Sequence, residues 1–155
     1  DMGSHRIDLL IYLLGEIEKV SAFVETIHCK YSVEDSTVMI LKFKSGPQGI
    51  VSFNWNIKKG IDELEIYGTN GKILAKPLDS GKLEVYAEDR METFVLPPPK
   101  PTHLGVVQNF VESLQNGREM VCPGREGIKT NQVIQAAYES SKRGKVISIR
   151  SLITQ

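Results

Sequence analysis

The sequence predicts an α+β fold, and three observations carry that prediction. A helical period appears once at the start and twice near the end, a period of two runs between about residues 19 and 97, and a proline run divides them. The opening segment 4–14 reads as a helix because Ile7, Leu10, Ile11 and Leu14 fall at i, i+3, i+4 and i+7. Ser4 suits its N-cap and Gly15 its C-terminal stop. Val20, Ala22, Val24 and Thr26 then alternate along one strand face, with His28 next in line. Thr37–Lys44 and Gly49–Ile57 follow, broken by Ser45-Gly46-Pro47-Gln48 as in a hairpin. Leu64–Tyr67, Lys72–Ala75, Leu83–Ala87 and Thr93–Leu96 continue a meander through Asn70-Gly71, Asp79-Ser80-Gly81 and Glu88-Asp89, all turn chemistries. Pro97-Pro98-Pro99-Lys100-Pro101 stops regular structure and reads as a stiff connector. Beyond it, Leu104, Val107, Val111 and Leu114 stripe one helix, and Ile134, Ala137, Tyr138 and Ser141 stripe another that ends at Gly144. Val146–Ile149 is a last strand.

A chain of 155 residues is one domain, long enough to bury a core without a metal or disulfide staple. Nineteen Lys+Arg balance nineteen Asp+Glu, which argues against a nucleic-acid partner or an anionic membrane surface. The locally basic 118–150 stretch reads as a solvated helix face. Cys29 and Cys122 are far apart and form no C-x-x-C, so neither a zinc site nor a redox pair is suggested, and reduced thiols in a cytoplasmic protein are expected. The longest apolar run, Leu9–Leu14, is far too short to span a bilayer.

Chemistry is sparse outside one segment. No G-x-G-x-x-G, G-x-S-x-G or H-E-x-x-H occurs, and Gly68-Thr69-Asn70-Gly71-Lys72 is a hairpin turn rather than a phosphate loop. The dense constellation is Asp1-Met2-Gly3-Ser4-His5-Arg6-Ile7-Asp8. His5 falls in the first turn of the predicted helix, where the positive end of the dipole favours the neutral imidazole that a general base needs. Asp1 would hold the other ring nitrogen or a substrate hydroxyl, and Gly3 permits a close backbone approach. From the residues alone, a vector-derived Met-Gly-Ser-His, an Asp/His/Asp metal site and plain helix capping remain alternative readings.

The segment Asp1-x-Gly3-x-His5-x-x-Asp8, running on to Leu13-Leu14-Gly15, resembles the active-site helix of the Gfo/Idh/MocA oxidoreductases. Asp35–Gly46 is similar to that family's first central hairpin, Ile66-Tyr67-Gly68-Thr69-Asn70-Gly71 to a later turn, and Ala136–Ser141 with Gly144-Lys145-Val146 to its closing helix and strand. Four landmarks in order cover nearly the whole chain and argue against the vector reading.

The resemblance implies an α+β domain with an open, predominantly antiparallel β-sheet and helices packed on one face. It also implies that residues 1–155 form a single C-terminal substrate and oligomerisation domain. The Rossmann domain that binds NAD or NADP would lie outside this chain, since the family's glycine-rich loop and Glu-Lys-Pro segment have no counterpart here; the start at Asp1 rather than Met is read the same way. Carried over by residue, His5 and Asp1 would be the catalytic pair. His5 would take the proton of a substrate hydroxyl on a sugar, polyol or related compound while hydride passes to the nicotinamide. Asp8 would be structural. Trp55 would stack on a sugar ring, against an interface or core role. Lys58 and Lys59 would meet an acidic substrate or simply be solvated, and His28 and His103 carry no motif. The fragment alone would bind no nicotinamide and be inactive. The expected partners are a small-molecule substrate and further copies of the chain, as a homodimer or homotetramer through the open sheet face. An NAD-using glycosidase of the same family and a free-standing dimerisation or ligand-binding module are the alternatives.

Overall fold

The first helix, α1 (Met2–Leu14), begins two residues before the expected cap, so Ser4 lies inside its first turn. The structure, a computed structural model, describes residues 2–149. The period read from the sequence sets α1's packing: Ile7 and Leu10 are buried, whereas Tyr12 and Leu13 on the other side are exposed. Gly15 ends the helix with φ +89°, and its N–H donates to the Ile11 carbonyl.

By internal contacts the chain divides into two compact units, Asp1–Ile57 with Cys122–Gln155, and Lys58–Val121. The first unit holds a four-stranded antiparallel sheet in the order β3-β2-β1-β8, with β1 Ile17–Glu25, β2 Ser36–Phe43, β3 Gln48–Asn54 and β8 Ile147–Ser148. Strict alternation sorts the two faces. Val20, Ala22, Met39, Leu41 and Phe43 are buried with α1 and with α3 (Gly124–Arg143), while Phe23, Val38, Ile40 and Ile50 point the other way and are exposed. The register lines Ser21, Ile40 and Ile50 across the outer face, with Phe23, Val38 and Ser52 in the next row.

α3 buries Thr130, Val133, Ala136, Ala137 and Ser140, a stripe rotated from the expected Ile134, Ala137, Tyr138 and Ser141. Small residues rather than the largest ones face the sheet because they allow close approach. Two serines then take over the exposed edge of β1, which β8 covers only opposite Lys19 and Val20. Ser140 Oγ accepts the Ala22 N–H at 3.0 Å and donates to the Lys145 carbonyl at 2.6 Å. Ser141 Oγ accepts the Val24 N–H at 2.9 Å and faces the Val24 carbonyl at 3.3 Å. Backbone groups that would need a neighbouring strand are satisfied by a helix instead.

The second unit is an antiparallel meander, β4-β5-β6-β7, built from Leu64–Gly68, Gly71–Ala75, Lys82–Ala87 and Arg90–Val95. The expected run of strands is thus two sheets, divided between β3 and β4. Thr69-Asn70 and Glu88-Asp89 make two-residue turns, since Gly68 pairs with Gly71 and Ala87 with Arg90. Gly71 has φ +149°, and a Cβ there would lie 1.9 Å from the Tyr86 carbonyl oxygen, so no other residue fits. Lys72 sits between the rings of Tyr67 and Tyr86, 5.7 and 4.9 Å from their centroids. α2 (Leu104–Asn116) forms where expected, yet its stripe Leu104, Val107, Val111 and Leu114 stays exposed. The period decides which side of a helix is apolar, not what covers it.

Cys29 and Cys122 are free thiols. Among the described residues no helix is long and apolar enough to cross a membrane, and no cluster of His, Cys, Asp and Glu is arranged to hold a metal ion.

Candidate functional site

His5 lies on the first turn of α1 with its side chain exposed. Asp1, its expected partner, lies outside the described residues. Asp8, one turn on, is exposed and accepts a hydrogen bond from Thr130 Oγ1 of α3 at 3.3 Å. It therefore ties α1 to α3, the structural part expected of it.

The first turn makes a contact with the sheet that the sequence reading missed. Gly3 rests on the ring of Phe53 in β3; a Cβ at position 3 would come within 3.2 Å of Phe53 Cδ2 and 3.3 Å of Cε2. Phe53 pairs with Thr37, and the next row is Ser36 with Asn54 and Glu25. The N-terminus of α1 is thereby seated at the sheet end where β1 stops and β2 begins. A glycine in the first turn of a helix, where alanine is intrinsically better, was the signal available in the sequence.

Trp55 follows β3 at this same end. Its indole is 60% exposed, which places it outside the core, and its backbone N–H donates to the Asp35 carbonyl at 2.9 Å. Asp35 organises the whole β1–β2 connection. Its carboxylate accepts the backbone N–H groups of Ile27, His28 and Cys29 at 2.7, 2.8 and 2.7 Å, and Asn56 Nδ2 at 3.0 Å. These donors, Ile27 first, hold its pKa down to about 2, below the usual 3.8. Here the chain departs from the expected alternation. Thr26 and His28 leave the sheet because three successive amides turn inward to one carboxylate. Glu34 beside this anchor meets Tyr138 of α3, whose phenol is pushed up to about 12 by burial and by that carboxylate.

The lowered Asp35 pKa has a definite sign in solution. A depressed carboxylate contributes its stabilisation above the unfolded value and loses it as the pH falls toward the folded one. The loop anchor is therefore intact above about pH 4 and released between about pH 4 and 2. In an NMR titration the amide resonances of Ile27, His28 and Cys29 are expected to move together, with a common midpoint near 2. Independent midpoints near 4 would contradict the shared anchor.

Lys58, Lys59, His28 and His103 are exposed. A cavity in this unit lies elsewhere. It measures about 30 Å³ and is lined by Ile11, Glu16, Ile17, Lys44, Lys129, Gln132, Val133 and Ile149, at the C-terminal end of α1. Glu16 bridges Lys44 at 2.6 Å and Lys129 at 3.5 Å across its rim, and Lys44, first of these, lowers the Glu16 pKa. Ile11 is six residues from His5, about 9 Å along the helix axis, so cavity and imidazole are separate places. His5 is exposed on the seated helix start, and Trp55 is exposed after β3, whose Phe53 bears that start.

Residues 1–74 match the family model described as the GFO/IDH/MocA C-terminal domain. A D-apiose dehydrogenase of Rhizobium rhizogenes is 26% identical over 171 residues, spanning 99% of this chain and 49% of the relative. A myo-inositol 2-dehydrogenase of Thermotoga maritima is 24% identical, with 99% and 49% covered. The chain spans about half the length of the curated relatives it matches. Among solved structures, an oxidoreductase from Agrobacterium radiobacter in complex with NAD+, L-tartaric acid and magnesium superposes with a TM-score of 0.82. It is 25% identical, with 96% of this chain and 48% of that one covered. The match falls on α1, β1 to β4 and the Gly3–His5–Asp8 segment, so this part of the chain is similar to the C-terminal domain of the GFO/IDH/MocA family.

Proposed function

We propose that this chain is the substrate and oligomerisation domain of an NAD(P)-dependent oxidoreductase acting on a hydroxyl of a sugar, polyol or related compound. The observation that carries the reading is His5, held exposed on a seated helix start within the segment that matches the family model. Relatives named as dehydrogenases of D-apiose and myo-inositol supply the substrate class.

On this reading the dinucleotide is not held by a loop of this chain. None of its strand-to-helix connections carries a G-x-G-x-x-G turn, so no cofactor contact is assigned to it and the nicotinamide belongs to a Rossmann domain outside this chain. When bound there, NAD or NADP accepts the hydride from the substrate carbon. On this side of the reaction His5 receives the hydroxyl proton as the carbonyl forms. Asp1 orients His5 or binds a neighbouring hydroxyl. Trp55 offers an apolar face to a sugar ring from the same sheet end.

The test is a panel of sugars and polyols given to the full-length protein with NAD+ or NADP+, followed by nicotinamide absorbance. Reduction with at least one polyhydroxylated substrate is expected. Cleavage of a glycosidic bond without net cofactor reduction would assign the NAD-using glycosidase instead, and ligand binding with no turnover at all would assign a binding module.

The same reading covers assembly and location. The outer face of the first sheet carries Ile40 and Ile50 side by side in register, with Phe23 in the next row, at 56, 79 and 73% exposure. A row of that kind favours a second copy, giving a homodimer or homotetramer. Ile40→Glu is expected to halve the mass seen by light scattering or reduce it to one chain, without loss of helix or strand signal. A native protein already monomeric would overturn this part. Two free thiols accord with a cytoplasmic protein.

A further inference from the structure

We propose that Phe53 and Gly3 are positioning residues for His5, a seat and its matching gap that set where the imidazole meets the substrate; the proposal rests on the catalytic reading of His5. Other contacts of α1 among the described residues hold its later turns. Ile7 and Leu10 are buried beneath its middle, Thr130 bonds to Asp8, and Ser45 Oγ donates to the Leu14 carbonyl at 2.6 Å. All of these lie C-terminal to His5. Ahead of it, the described contact between the first turn and the sheet is Gly3 on the Phe53 ring, with Cδ2 and Cε2 already 3.2 and 3.3 Å from where a Cβ would stand.

A side chain at position 3 must therefore lift the helix start or turn the ring by a few tenths of an ångström. His5 follows two residues later on a rigid turn, so it moves with the seat. Proton transfer is sensitive to such displacement, since a misplacement of about 1 Å costs on the order of a hundredfold in rate. The seat also explains why glycine stands where alanine would make the better helix.

The test uses the full-length enzyme and the kcat and KM of Gly3→Ala, Phe53→Leu, Phe53→Tyr and the double variant Gly3→Ala/Phe53→Leu. Gly3→Ala and Phe53→Leu are each expected to lower kcat about tenfold with KM within about twofold. Phe53→Tyr keeps the ring and stays near wild type, and the double variant regains most of kcat because the smaller side chain admits the new methyl. In a His5→Asn background, Gly3→Ala should lower the rate no further, because it acts through His5. Wild-type kcat in both single variants would overturn the proposal, as would equal losses from Gly3→Ala with and without His5. Should Gly3→Ala fail to fold, Phe53→Leu and Phe53→Tyr decide the matter alone. If His5→Asn itself keeps full activity, the catalytic reading falls; if His5→Asn is inactive while the seat variants are unaffected, only the seat falls.

Discussion

On the proposed role of His5 as general base, His5→Asn in the full-length protein is expected to lower kcat by about a hundred- to ten-thousand-fold while leaving the fold and KM nearly unchanged. General acid–base catalysis by a placed side chain contributes a factor of this size, and asparagine keeps polarity and approximate volume but cannot carry the proton. His5 is exposed and lies on the outside of α1, away from buried Ile7 and Leu10, so its replacement leaves the core untouched. The measurement is steady-state kinetics of both proteins on the substrate found by the panel, with thermal melts alongside. A loss of less than about threefold would remove His5 from the chemistry. A loss accompanied by a lower melting temperature would assign it to the fold.

The largest effect on stability is expected from Ser140→Ala. Ser140 is 1% exposed, and its hydroxyl bonds both the Ala22 N–H of β1 and the Lys145 carbonyl beyond α3. Alanine leaves the buried Ala22 N–H without a partner and takes the hydroxyl donor from the part-buried Lys145 carbonyl. At about 1–3 kcal/mol for the stranded N–H and about 1 kcal/mol for the second hydrogen bond, the loss sums to about 2–4 kcal/mol. It is read as a lower urea midpoint with an unchanged m-value. The neighbouring Ser141→Ala also removes the acceptor of the Val24 N–H, but Ser141 is only half-buried and water can replace it, so the expected loss is below about 1 kcal/mol. Equal effects at the two positions would mean that burial does not set the difference.

Much of the architecture was legible in the sequence because periodicity is a local property. Ile7, Leu10, Ile11 and Leu14 located α1, alternation located the strands to within two or three residues, and Gly15, Gly117 and Gly144 marked the helix ends, each with positive φ. The failures share a cause. Thr26 and His28 continue the alternation of β1 on paper, but the carboxylate of Asp35, several residues ahead, draws the chain out of the sheet. Ile134 and Tyr138 looked like the buried face of α3, but the sheet prefers Ala136, Ala137 and Ser140, whose small size lets the helix come close enough for a hydroxyl to reach a strand. The stripe on α2 was read correctly and is nonetheless uncovered.

At the candidate site the sequence supplied His5, Asp1 and Gly3 as an ordered motif, and the resemblance supplied their chemistry. Which group stands under Gly3 could not be read, because Phe53 is fifty residues away and meets it only through the hairpin register. The sequence by itself determined the α+β class, the order of the elements and the identity of the polar segment at the start, all consequences of local period and residue chemistry. Only the tertiary structure decided that the strands form two sheets, that two serines close the edge of β1 and that an aromatic ring lies against the first helical turn. Those are pairings between distant residues, set by packing and by the need to satisfy every buried backbone group, and no local pattern encodes them.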